Sequence, residues 1–518
     1  MHMRFWILIS LHLSIDWIYA QDLYDARSVA GGALFDLSQK NGGICLRITE
    51  NEISIDTIDL DYIVDVSIST ISNKTGHLQF YCDGCRVINH EYNIMVNGDS
   101  INYPGRQFDF NCPYQGSYST HQGVITLPVP DKENDYVIFH LRIDEKSIFL
   151  PTSLLYTTVD MAAENGLGKV TSKNVMILQD TLRDMLTAVR HGNGRDWWIV
   201  APHYQGEKIA MAILGPNGIS QPVYQAASMA PFPAFYQLYG WLSQAVFTPD
   251  GTRYARIVSD ARGRGFISLY DFNRCTGAFC CGKNWRVQIR DSIDDFSSSV
   301  NGLAFSPNGR YLYVTTGTFL YQYDTNADDI SATQILVGQY DGALVSYLPA
   351  TLYRPYLAAN GKIYITASNG IHALHTIHAP NEPGLACDFR NHDLELPVNI
   401  GFCLPHFPNF RLYDWHLSPC DTLGIDAPSA HVEQWYAWDK PVVVPNPAST
   451  YCKLTAPACT NGVLSVFDVA GRLIYEQQGV QTGNTIPLQV DSWPSGVYML
   501  VLRSEKNKPK TVRLVVAR

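Results

Sequence analysis

The chain has 518 residues, with 38 basic against 48 acidic side chains and a formal net charge of -10. That acidic balance, with no Lys/Arg-rich run, argues against a nucleic-acid binder, which needs a basic footprint to displace counterions. Hydrophobic residues make up 46% and charged residues 17%, so the chain can bury real cores and is not a disordered acidic tail.

The first expected element is a leader. Arg4 supplies a positive end, Phe5 to Ile15 is almost wholly apolar, and Ile18-Tyr19-Ala20 ends on a small residue. The apolar run is too short for the roughly 20 residues of a spanning helix. Residues 1–20 therefore read as a cleaved secretory signal, leaving no transmembrane anchor.

Twelve cysteines fit an exported protein, because disulfides persist outside the cytosol. Cys82-Cys85 is a lone CxxC with no second CxxC or HxxxH partner, so structural bridges are favoured over a zinc site. Cys452 and Cys459 are the pair expected to bridge.

Residues 21–440 are rich in β-branched and aromatic residues, cut at short intervals by Gly, Pro, Asn and Asp. Within them, Leu178, Leu182, Met185, Leu186 and Val189 fall at helical spacing, which leaves a short helix or an insertion open. His191-Gly192-Asn193-Gly194-Arg195-Asp196-Trp197-Trp198 is the most unusual stretch. His191, Arg195, Asp196, Trp197 and Trp198 are candidate ligand-binding residues, because an indole face stacks on a sugar ring and charges fix its hydroxyls. The competing reading is a corner with a tight Asn193-Gly194 turn and at least one core tryptophan.

A repeat follows. Phe247-Thr248-Pro249-Asp250-Gly251 leads into Thr252-Arg253-Tyr254-Ala255. One period later Phe305-Ser306-Pro307-Asn308-Gly309 leads into Arg310-Tyr311-Leu312-Tyr313. A weaker copy runs from Leu357 through Asn360-Gly361 to Ile365. Each unit is strand, tight turn, strand, and each first copy is followed by another strand ending in acid and turn residues. This is the grammar of a propeller blade, whose faces are buried only by its neighbours. About 420 residues at roughly 50–60 per blade give seven or eight blades, and seven are expected.

Beyond the repeat, no HExxH helix, P-loop or GxSxG elbow is present, and no cofactor signature. Asp324, Asn326 and Asp328 start like a calcium loop, but Asp329 stands where glycine is needed and Ile335 where glutamate is needed. His372, His375 and His378 recur at a spacing of three, without an evident carboxylate partner.

Composition changes at 441. Pro445-Asn446-Pro447 reads as a linker, and the strand-like runs Val463–Asp468, Arg472–Tyr475, Gly496–Leu502 and Thr511–Val516 predict a small β-sandwich over 441–518. Pro445-Asn446-Pro447-Ala448, Val466-Phe467-Asp468 before Gly471-Arg472, Gly496-Val497-Tyr498 and the strand from Lys510 to Arg518 resemble the type IX secretion C-terminal sorting domain of Bacteroidota. The resemblance implies export and delivery by the type IX secretion machinery to the outer surface or the medium. The Cys452/Cys459 pair departs from that pattern.

Residues 30 to 420 resemble secreted Bacteroidota WD-like propellers of unassigned function. The matching segments are His77-Leu78-Gln79-Phe80-Tyr81, Met95-Val96-Asn97-Gly98-Asp99, Gln122-Gly123-Val124-Ile125 and His191 to Trp198. That resemblance implies a fold and a location but no chemistry. The expectation is an all-β chain, a β-propeller followed by a β-sandwich, acting as a surface binding or interaction module for a glycan or a surface protein. An extracellular hydrolase or lyase acting on polysaccharide or peptide is the alternative, and a structural surface protein is a third.

Overall fold

The structure is a computed structural model. It describes residues 22–31, 42–64, 66–114, 116–144, 147, 150–226, 243–259, 265–288, 300–345, 347–415, 418, 420–421, 423, 442–444, 448–455, 461–469, 471–481, 485–504 and 510–517.

Among the described residues before 401, seven antiparallel sheets of three to five strands follow one another in chain order, with one two-stranded ribbon besides. Their first strands are Arg27–Gly31, Ser69–Ser72, Val124–Pro128, Thr187–Arg190, Ser243–Phe247, Val300–Phe305 and Leu352–Leu357. Six of the seven sheets are simple up-and-down meanders, and the fourth departs only in that both its last two strands pair with Lys208–Gly215.

The first strands lie beside one another around an axis: the first contacts the second, the second the third, and the fourth through seventh are linked in the same way. The third and fourth sheets are joined by the Leu186 amide on the Gln122 carbonyl at 2.9 Å. The ring closes where Phe389–Ile400, the last strand of sheet seven, lies against the first two strands of sheet one. This is a β-propeller.

The cores explain why the sheets stack. A meander blade has two apolar faces, and each core is shared by neighbours. Ala245, Tyr254 and Tyr270 of sheet five pack with Trp198, Val200 and Met211 of sheet four. Ala255, Ile257 and Ile267 of sheet five pack with Leu303, Leu312 and Val314 of sheet six. Ala30, Ile44 and Leu46 of sheet one meet Tyr364, Leu374 and Ile400 of sheet seven.

The repeated turns join first to second strands. Gly251, Gly309 and Gly361 have φ of 69, 68 and 76°, the left-handed region where a Cβ is strained. Asp250, Asn308 and Asn360 each accept the amide two residues on, at 3.0, 3.0 and 3.2 Å. Such side-chain closure is why Asx-Gly recurs at these positions.

No helix forms around 178–189. Leu178 lies on the strand Lys169–Gln179 and Val189 on Thr187–Arg190, while Leu182, Met185 and Leu186 between them are buried. The helical spacing comes from a connection buried between two cores, where apolar demand has no strand period.

In the C-terminal region, Val442–Val444, Tyr451–Thr455 and Thr485–Gln489 form one sheet. Leu473–Gln481, Asn461–Asp468, Gly496–Ser504 and Lys510–Val516 form the other. Leu454, Leu488, Leu464, Val466, Trp493, Leu500 and Leu514 share one core, so this is a β-sandwich. Cys452 is buried in that core with its thiol pKa pushed up by burial. Cys459 lies outside the described residues, as do residues 1–20.

Candidate functional site

The segment 191–198 is the first-to-second strand turn of sheet four, equivalent to the turns at Asp250-Gly251 and Asn308-Gly309. The Gly194 amide donates to the His191 carbonyl at 3.0 Å, as Gly251 does to Thr248 at 2.8 Å. Asn193 Oδ1 accepts the Arg195 amide at 3.0 Å.

Both indoles turn inward. Trp197 is 0% and Trp198 7% exposed. Arg190 lies over the Trp197 ring at 3.9 Å, and Trp198 Nε1 donates to the Arg274 carbonyl at 2.7 Å. Neither offers a free face on which a sugar ring could stack. His191 Nε2 lies 3.1 Å from the Cys275 carbonyl, and burial lowers its pKa against the pull of Asp196. Arg195 Nε donates to Asp196 at 2.7 Å, and its Nη1 reaches Asp131 of the neighbouring turn at 3.3 Å. The segment welds three blades at this face.

On the opposite face, where sheets connect to one another, polar groups converge. Asp184 accepts the His121 and Gln122 amides at 2.5 and 2.9 Å, and burial raises its pKa to about 6. Asp180 takes the Tyr224 hydroxyl, with Lys208 Nζ at 3.4 Å and His203 Nε2 at 3.6 Å. Burial pushes the Asp180 carboxyl up, but the Tyr224 hydroxyl, the Thr181 amide and the neighbouring His203 and Lys208 outweigh it and hold it below the usual range.

The histidines at 372, 375 and 378 do not gather. Residues 372 and 375 lie on the strand Ile371–Ile377, His372 exposed and His375 buried. His378 Nε2 meets Asp393 at 2.8 Å. Asp324 binds Arg310 at 2.7 Å, and the Asn326 side chain accepts from Arg253 at 3.2 Å, so the calcium-like run is an inter-strand turn. Asp271, Cys280 and Cys281 bring ligand atoms within 4.8 Å of one another, but Cys281 is disulfide-bonded and supplies no thiolate.

The lone CxxC splits. Cys85 bridges to Cys112, with Cα atoms 5.5 Å apart, while Cys82 stays buried. The bridge staples an insertion that follows the last strand of sheet two. Arg86 Nη1 binds buried Asp83 at 2.7 Å, and Asn174 Nδ2 donates to the carbonyls of Ser100 at 2.9 Å and Tyr103 at 3.2 Å.

On this pinned backbone the helix Arg106–Asn111 runs into a 3-10 turn, Cys112–Tyr114. Tyr103, Phe110 and Tyr114 are 53%, 74% and 77% exposed. The i, i+4 spacing of 110 and 114 puts both on one side of the continuing turn. Sequence reasoning passed over these residues because they sit in a polar, turn-rich stretch with no strand or helix period. Their one signal was four large aromatics, Tyr103, Phe108, Phe110 and Tyr114, gathered around Cys112 in an otherwise polar stretch.

Residues 442–517 match the family model of a secretion system C-terminal sorting domain. The sorting domain directs the chain to the outer surface or the medium through the type IX machinery. Among the described residues no helix is long and apolar enough to cross a membrane.

No curated protein matches the chain in sequence. Among solved structures, a functionally unknown protein from Desulfotomaculum acetoxidans is 13% identical, covering 73% of this chain and 99% of its own, with a TM-score of 0.37. The periplasmic gluconolactonase of Pseudomonas aeruginosa is 12% identical, covering 89% and 99%, with a TM-score of 0.34. The β-propeller domain of a Myceliophteria thermophila protein is 12% identical, covering 74% and 94%, with a TM-score of 0.27.

Proposed function

We propose that the chain is a seven-bladed, WD-like propeller of a Bacteroidota-type cell surface that acts as a binding module for an extended glycan. The observation that carries this reading is the exposed group Tyr103, Phe110 and Tyr114 on a backbone held by Cys85–Cys112 and by Asn174. Aromatic faces stack on the C–H faces of sugars, and rigid presentation lowers the ordering cost of binding. The adjoining charges Arg106 and Asp109 balance, which suits a neutral chain better than a polyanion.

The test is a thermal-shift and glycan-array measurement on the full chain and on a Tyr103→Ala/Phe110→Ala/Tyr114→Ala variant. A glycan class that raises the melting temperature of the parent in a dose-dependent way, and not that of the variant, supports the reading. Equal shifts in both, or none with any neutral glycan, would sink it.

A second reading, a hydrolase or lyase, is favoured by the Asp180, His203, Lys208 and Tyr224 group on the opposite face. Product formation abolished by Asp180→Asn but not by the aromatic variant would select it.

A further inference from the structure

Propellers commonly close by sharing a strand between the first and last blades; among the described residues this ring shares none, sheet one being built from residues 27–59 and sheet seven from 352–400. Among the described residues they meet through a shared apolar core. The chain then continues into an arm, residues 401–415, that crosses the axis.

The arm touches sheets on opposite sides of the ring. The Phe402 carbonyl accepts from Thr366 of sheet seven at 2.8 Å. His406 Nε2 lies 3.1 Å from both Gln122, at the head of sheet three, and Thr187 of sheet four. Asn409 Nδ2 donates to the Pro249 carbonyl, in the sheet-five turn, at 2.7 Å.

Phe410 sits between Tyr24 and Trp197, ring centres 5.3 and 5.4 Å away. Arg411 then makes two bonds to Asp25, at 2.6 and 2.8 Å, just ahead of the first strand. The end of the propeller is thereby tied to its beginning.

Past Trp415, whose amide donates to the Gly192 carbonyl at 2.7 Å, Cys420 bridges to Cys275. A Cβ at Gly192 would stand 2.5 Å from Cys420 Sγ and 2.8 Å from Cys275 Sγ, so only glycine leaves room for this bridge. Cys275 and Cys420 are half-buried, whereas Cys85 and Cys112 are 0% and 5% exposed.

We propose that the arm is a redox-locked latch, closing the propeller in place of a shared strand and fastened by Cys275–Cys420 only in an oxidising compartment. In the fastening step the two thiols lose two protons and two electrons as the S–S bond forms. The acceptor is the disulfide of a thiol–disulfide oxidase, which leaves as a dithiol. A chain that has not been oxidised keeps its arm releasable, and one that has been oxidised is closed.

The experiment is a graded reduction of the folded, full chain with dithiothreitol, read by hydrogen exchange and by mass spectrometry of proteolytic cuts. Because the arm's bridge is more accessible than Cys85–Cys112, it should open before that bridge. Exchange and cutting within 401–415 should rise at least tenfold while sheets three to six stay protected. A Cys275→Ser/Cys420→Ser variant should show the same pattern without reductant, and Cys85→Ser/Cys112→Ser should leave the arm protected.

If the double variant does not fold, the reductant series on the parent decides alone. Unchanged protection of 401–415 after Cys275–Cys420 is reduced would overturn the latch, and so would global unfolding at the same reductant concentration.

Discussion

Two corners of the propeller carry clustered aromatic residues beside a disulfide, and they are built in opposite ways. At residues 191–198 the rings face inward: Trp197 and Trp198 are wedged between blades, with Phe410 of the arm against the first and the Arg274 carbonyl on the second. At residues 103–114 the rings face outward, and the backbone beneath them is held by polar bonds and by Cys85–Cys112. The difference is one of what surrounds the ring. A ring on an inner-blade strand has a neighbouring sheet to cover it, whereas a ring on an insertion beyond the last strand has none. Conspicuous residues therefore need not be the ones that face a ligand.

The largest test of that contrast is Trp197→Ala. It removes a fully buried ring that both the arm and Arg190 pack against, and should cost about 3–5 kcal/mol of stability in denaturant unfolding. A loss below about 1 kcal/mol would mean the corner is not a wedge.

Acid should act on the interior in the same direction. Burial lowers His375 and His406 to about 4 and His140 to about 3, with the charges of His392, Arg354 and Arg142 respectively adding to the shift. Their ordinary value is about 6.5, so as pH falls the unfolded chain binds protons first. The stability they contribute is full above pH 6.5 and drains away between about 6.5 and 4, and for His140 on to about 3. Asp184, raised to about 6, works the other way, because the folded chain takes up its proton first. His121, His191 and His203 are lowered as well and Asp83 and Asp271 raised, so six histidines against three carboxyls predict a melting temperature that falls by several degrees from pH 7.5 to 4.5. His375→Gln should flatten that slope, and an unchanged slope would refute the assignment.

A smaller effect separates turn from arm. Gly251 and Gly309 share a turn and a φ near 70°, so alanine at either carries a left-handed penalty of about 1–2 kcal/mol. At Gly251 a Cβ also meets Leu412 of the arm and Val189 at 2.8 Å, whereas at Gly309 the nearest atom is 3.4 Å away. Gly251→Ala should therefore be the more destabilising, and equal melting temperatures would show that the arm does not press on that corner. Smallest of all, the triple alanine variant at 103, 110 and 114 should move stability by no more than about 0.5 kcal/mol per site, since these rings are mostly exposed and Tyr103 meets Phe108 only edge-on. A larger loss would make them structural and not ligand-facing.

Much of the fold was legible in the residues. Asp250-Gly251 and Asn308-Gly309 announce their turns because an Asx side chain closes them and glycine alone takes the left-handed angle without strain. That grammar also covers Asn193-Gly194, where the pair of tryptophans drew attention away from the turn they follow. Alternation from Gly309 to Thr315 predicts a strand because a half-buried period of two is a local property, although in the strand that forms, Tyr311–Thr316, both faces are buried between blades. The stretch from Leu178 to Val189 misled for the complementary reason: its spacing comes from two separate cores meeting at a connection.

By itself, then, the sequence determined the β class, the repeating blade, the terminal sandwich and the destination, because turn chemistry, strand period and sorting motifs are all carried by residues a few positions apart. Only the tertiary structure decided which aromatics are covered, which cysteines pair and how the ring is shut. Those outcomes depend on groups far apart in the chain, such as Asp25 with Arg411 and Cys275 with Cys420, whose proximity exists only once the blades have closed around the arm.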